Sequence, residues 1–198
     1  MKKIETLAEY QQLASRTCPD LGTPDLNYFH MQSGIITEMG EAIDPIKKHI
    51  AYGKPLDIVN VGEEIADAIW YIANRARLFL TEEQNSYVWG TNKEFDKLSA
   101  DFDKQKDLFP TNLVEVAGLF HGVIPETNIT EVPTHSTIGS VGLPDVVILF
   151  KAAQYLELDF WQILTNNIAK LQVRYPDKFT NEAALNRDLN AERVELEK

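Results

Sequence analysis

Two apolar stripes of helical period, following one another across a single short turn, most constrain how this chain can fold. Phe29, Ile35, Ile36, Met39, Ile43, Ile46 and Ile50 form the first; Ile58, Val61, Ile65, Ile69, Ile72, Ala76 and Phe79 form the second. A stripe of period 3.6 must be buried against another element. Tyr52-Gly-Lys-Pro55 between them is a turn signal, short enough to return the chain antiparallel to itself. The first helix is expected to start near Asp25 and the second to be capped by Asp57. Pro45 falls inside the first pattern and is expected to kink it near the carbonyl of Glu41.

The rest of the chain also reads as helical. A short helix is expected over residues 4–15, broken by Cys18-Pro-Asp-Leu-Gly-Thr-Pro24. Residues 82–107 are polar with a helical flavour, and 113–120 read as another short helix. Residues 125–142, rich in Thr, Ser, Gly and Pro, read as a long loop. Helical pattern returns at 144–156 and from a cap at Asp159 to Val173, before Tyr175-Pro176 ends it. The fold class expected is all-α, one domain over 1–198, with about 80–142 inserted between the core helices and a charged tail at 181–198.

With a net charge of −11, the surface is a poor match for nucleic acid or an anionic membrane. Any anionic substrate would need bound cations or local Lys and Arg to offset that field. Cys18 is the only cysteine, so no intrachain disulfide can form. The sequence contains no run approaching the roughly 18 apolar residues of a membrane span, and Met1-Lys-Lys-Ile-Glu has no apolar signal core. A soluble, cytoplasmic protein is expected.

Within the two stripes sit two carboxylate pairs, Glu38-Met-Gly-Glu41 and Glu64-Ile-Ala-Asp67. Spacing i, i+3 puts each pair on one helix face. At about 100° per residue, Glu38 and Glu64 each lie about −100° from the centre of their stripe, and Glu41 and Asp67 each about −160°. The hairpin's approximate two-fold axis carries the front of one helix onto the front of the other. Equal offsets therefore bring all four carboxylates to one side. Gly34, one turn before Glu38, leaves room there, and Tyr71, one turn after Asp67, continues the face. Glu63, at about +160°, is expected to face solvent. Four gathered carboxylates repel one another unless cations hold them, and hard cations such as Mg²⁺ prefer carboxylate oxygen.

Other carboxylate chemistries find no support. A di-iron bundle needs Glu three residues before His, but those positions hold Asn27, Ile46, Gly118 and Val132. No histidine is followed by Asp, and neither a Gly-x-x-x-x-Gly-Lys loop nor Gly-x-Gly-x-x-Gly occurs.

With these pairs, the segments Gly34-Ile-Ile-Thr-Glu-Met-Gly-Glu41, Ile46-Lys-Lys-His-Ile-Ala-Tyr-Gly-Lys-Pro-Leu-Asp57 and Glu63-Glu-Ile-Ala-Asp-Ala-Ile-Trp-Tyr-Ile72 together resemble the all-α nucleoside triphosphate pyrophosphohydrolases, the MazG-like superfamily. Asn167-Ile-Ala-Lys-Leu-Gln-Val-Arg-Tyr-Pro-Asp-Lys-Phe179 is similar to that family's closing helix. The chain departs from it in the length of 80–143 and in Ala66, where many members carry Gly. The resemblance implies a MazG-like bundle that hydrolyses a nucleoside triphosphate, usually a deoxynucleotide, to the monophosphate and pyrophosphate. Glu38, Glu41, Glu64 and Asp67 would bind Mg²⁺, or Mn²⁺ in its place. Glu38 or Glu41 would take a proton from the attacking water, the choice being open. Asn167, Lys170 and Arg174 would lie near the phosphates, with Lys48 and Lys54 weaker candidates, and Tyr71 and Asn74 near base or sugar. Trp70 and Trp161 on the apolar faces, with the family likeness, point to a homodimer or higher oligomer. Two alternatives stand beside this reading: a non-catalytic helical bundle binding nucleotide or a partner, and a phosphohydrolase releasing orthophosphate.

Overall fold

The computed structural model describes residues 2–105, 109–125 and 142–198. Among them are ten helices and no strand, so the all-α expectation holds. Most of the loop expected at 125–142 lies outside the described residues.

The hairpin is the largest packed pair. α2 (Pro24–Tyr52) begins where the Thr23 hydroxyl accepts the Leu26 N–H, with Pro24 in the first turn, where its missing N–H costs nothing. It ends at Gly53, whose φ of 64° is the left-handed cap that glycine adopts without strain. The helix carries on through Pro45, whose ring is buried and which cannot give the Glu41 carbonyl its helical hydrogen bond. α3 (Ile58–Phe79) starts on Asp57, which accepts the Asn60 N–H at 3.1 Å. The two helices run antiparallel. Tyr28 sits edge-on to Phe79, Gln32 accepts from Arg75, and Gly34 faces Tyr71. A Cβ at Gly34 would fall inside the Tyr71 ring, so only glycine allows this approach.

Ile65, Ile69 and Ile72 of α3 have no exposed surface, each worth roughly 1.5–3 kcal/mol of burial. In α2, Ile35, Met39 and Ile46 are buried, but Phe29 and Ile50 of the same stripe are exposed. The actual core face is shifted toward Tyr28, Met31, Gly34 and Ala42.

α1 (Leu7–Ser15), capped by Thr6, lies against α3 and α8 (Phe160–Arg174). The stretch read as an insertion holds α4 (Glu82–Trp89), α5 (Lys93–Asp103) and α6 (Leu113–Val123). α6 packs on α2 and on α7 (Leu143–Tyr155), so Val116, Phe120 and Leu143 belong to the same apolar core as the hairpin. Phe95, Phe150, Phe160 and Trp161 pack ring against ring and tie α5 to α7 and α8. Trp70 is buried, with its indole N–H directed at the Ala14 carbonyl and the Thr17 hydroxyl. Both tryptophans offered for a subunit contact are thus engaged within the chain. α9 (Asn181–Leu185) and α10 (Leu189–Leu196) follow, α10 lying along α8. No helix among the described residues is long and apolar enough to cross a membrane.

Candidate metal and anion site

The hairpin brings Glu38, Glu41 and Glu64 together, each offering an oxygen within 4.8 Å of the others. Glu64 is buried, Glu38 half-buried and Glu41 exposed, so the cluster forms the floor of a cleft open to solvent. The cleft has a volume of about 560 Å³, within the usual range for a small-ligand site. Asp67 and Glu63 share its floor; Tyr71, Trp70, His30, Tyr175 and Phe179 supply aromatic walls; Arg174 and Arg187 supply cationic side chains.

Gathering these carboxylates perturbs them. Burial, then the negative charge of Asp67 and a hydrogen bond shared with Glu64, pushes Glu38 up to about 9. Burial and Asp67 likewise raise Glu64 to about 7. The Tyr71 hydroxyl is raised by burial and by the charges of Glu38 and Asp67. Without a cation, Glu38 therefore keeps a proton at neutral pH. Three oxygen donors, close and electrostatically strained, fit a hard divalent cation, which would neutralise what the proton neutralises in its absence.

Asp67 reaches the cleft but differs from the other three. Its carboxylate accepts from the Asn167 amide at 2.5 Å and from Lys170 Nζ at 2.5 Å. Lys170 also meets Glu63 at 3.1 Å and has no exposed surface. Burial alone would lower the lysine's pKa, but the charges of Asp67 and Glu63 outweigh it and raise it. Asn167 is equally buried, and its carbonyl oxygen lies 3.0 Å from the Tyr10 hydroxyl, which also meets the Ala66 carbonyl at 2.9 Å. Asn167 and Lys170 thus stand beneath the carboxylates and orient Asp67. The family resemblance implied a place near phosphates for both; the face that Lys170 shares with Arg174 on α8 was legible, while its depth in the fold was not.

Glu63 is a second correction. It lies on the cleft and pairs with Lys170 rather than facing solvent. Its offset of about +160° is only about 40° around α3 from Asp67, and α8 covers that side of the helix.

Tyr71 and Arg174 line the cleft. Three other candidates do not. Lys48 is two turns past Glu41, about 10 Å along α2, and pairs with Asp44. Lys54 lies exposed in the turn, where its carbonyl meets His49 Nδ1 at 2.7 Å. Asn74 is fully buried and donates to the Trp70 carbonyl at 3.0 Å.

Sequence reasoning missed Arg187 and Glu192. Glu192 receives Arg174 Nε at 2.8 Å and Nη2 at 2.6 Å, and Arg187 Nη2 at 2.8 Å. Burial alone would raise its pKa, but the two guanidiniums hold it down to about 2. No local pattern marked these residues, because 181–198 reads only as a charged tail. Tyr175 and Phe179 were in view, but only as the end of the closing helix.

Searches against known protein families, characterised proteins and solved structures each return no match for this chain.

Proposed function

We propose that this chain is a metal-dependent nucleoside triphosphate pyrophosphohydrolase of the MazG-like kind, acting on a deoxynucleotide and releasing the monophosphate and pyrophosphate. The observation that carries the reading is the convergence of Glu38, Glu41 and Glu64 within 4.8 Å on the floor of a cleft that also holds two arginines and a set of aromatic side chains. Carboxylates to hold cations, guanidiniums to meet phosphate oxygens, and rings beside a sugar or base are the parts such a substrate needs. Glu38, Glu41 and Glu64 would hold Mg²⁺, or Mn²⁺ in its place, with Asp67 beside them. A bound divalent cation supplies charge neutralisation, polarisation of the α-phosphoryl group and a more acidic water. Glu41, the exposed member, or Glu38 would accept that water's proton. Lys170 and Asn167 hold and orient Asp67 from below. A homodimer is proposed on the family likeness alone, and light scattering at micromolar concentration tests it.

A panel of canonical and modified NTPs and dNTPs with Mg²⁺, scored for product, tests the reaction. Pyrophosphate release that disappears in excess EDTA, and in Glu38→Gln and Glu64→Gln with helical CD intact, is expected. Orthophosphate release would place cleavage at the terminal phosphate. No turnover across the panel would leave a binding protein.

A further inference from the structure

The C-terminal segment reaches the cleft with little apolar anchorage. α9 buries no residue fully and touches the core only through Ala183 and Ala184; α10 buries only Glu192 and sets Leu196 beside Leu158 and Ile163, while Leu185, Leu189 and Val194 face outward. α10 nevertheless lies along α8. Polar contacts hold it there: the Glu192 clasp on Arg174 and Arg187, Arg193 on Asp57 at 3.1 Å, and the Asn166 amide on the Leu196 carbonyl at 3.1 Å. A segment docked through ion pairs with so little apolar area belongs among the parts of a protein that open most easily. Its exposed Arg193–Asp57 pair also weakens in salt, the buried Glu192 clasp much less.

The clasp itself is informative. Arg174 and Arg187 line the same cleft as the carboxylate cluster, and both direct Nε and Nη2 at one carboxylate. A planar, doubly charged cradle of this type recognises phosphate as readily as carboxylate.

We propose that α10, residues 189–196, forms a strap whose docking is exchanged for a diphosphate-class anion, while Arg187, which precedes it, stays on the cleft. Glu192 occupies the two arginines when the cleft is empty, and a polyphosphate bound there takes them and releases α10. The inference rests on the reading of the cleft as a polyphosphate site, and it adds a conformational step to binding. It makes Glu192 a competitor of the ligand, so weakening the strap strengthens binding.

Amide hydrogen exchange and calorimetry on the full chain test this, with inorganic pyrophosphate as the probe and Mg²⁺ in excess. Pyrophosphate is expected to speed exchange across α10 while leaving α3 protected. Salt at roughly 0.5 M, without pyrophosphate, is expected to speed it by less, because it screens the exposed Arg193–Asp57 pair and hardly reaches the buried Glu192. Glu192→Gln should bind pyrophosphate more tightly than the parent. Arg193→Ala, which loosens the strap without touching the cleft, should also tighten it, by about two- to five-fold for the loss of an exposed ion pair. Slower exchange in α10 on adding pyrophosphate, weaker binding by either variant, or no pyrophosphate binding at all would overturn the strap. The measurements need no turnover. A chain whose strap responds but which hydrolyses no nucleotide loses the proposed function and keeps this one; turnover with an unmoved strap does the reverse.

Discussion

Lys170→Met is the most direct probe of how the site is held together. Methionine keeps most of the stem's volume and removes only the ammonium group, so the cavity cost is small. The lysine has no exposed surface, and its Nζ meets Asp67 at 2.5 Å and Glu63 at 3.1 Å. Removing one partner of a buried pair typically costs about 3–5 kcal/mol, because the remaining charge has lost its compensation. Here the two carboxylates keep 21% and 16% side-chain exposure and can recover some hydration, which puts the expected loss near the lower end, about 3 kcal/mol. That is a large part of a stability of roughly 5–15 kcal/mol. Urea unfolding followed by CD in EDTA gives the number, and Asp67→Asn completes a double-mutant cycle with an expected coupling of about 1–3 kcal/mol. The pH dependence has a sign. Lys170 has its pKa raised by folding, so its contribution is fully present below its unfolded value near 10.5 and is lost only as pH climbs through the folded one. The penalty should therefore be flat from pH 7 to 9, and should shrink in acid as the freed carboxylates take up protons. A cost under about 1 kcal/mol, or additivity with Asp67→Asn, would refute the buried clasp.

The metal-free protein should lose stability as pH rises from about 4.5 toward 9, since folding raises the pKa of Glu38 and Glu64 and favours their protonated forms. Thermal melts in EDTA should show this slope, Glu38→Gln should flatten it, and a melting temperature that climbs over the same range would contradict the assignment. Gly34→Ala should lose roughly 1–2 kcal/mol, the overpacking against Tyr71 exceeding the helix propensity gained. A variant more stable than the parent would show that the ring moves aside freely.

The hairpin was legible because its determinants are local. The period of the stripes, the Asp57 cap and the turn ending α2 at Gly53 all lie within the segment they shape. The common side of the carboxylates followed from helix geometry, and Glu38, Glu41 and Glu64 do converge. What could not be read was which faces other helices cover. Glu63 looks like a surface residue on the wheel, and Glu63, Asn167 and Lys170 become buried or half-buried where α8 crosses α3. Arg187 and Glu192 depend on a tail whose docking is polar, so it leaves no apolar stripe to detect. Phe29 and Ile50 show the reverse error, fitting the period yet facing solvent.

The clasp under Asp67 also sets an order of events in folding. Glu38 and Glu64 lie one hairpin apart, whereas Lys170 is 103 residues from Asp67 along the chain. Local contacts form sooner than distant ones, because less chain must be ordered to close them. The acidic floor is therefore expected to assemble before its lysine arrives, through a stage in which Asp67 lacks its cationic partner. Divalent cations present at that stage should speed refolding as well as stabilise the product, and stopped-flow refolding rates that ignore Mg²⁺ would argue that α8 docks together with the hairpin.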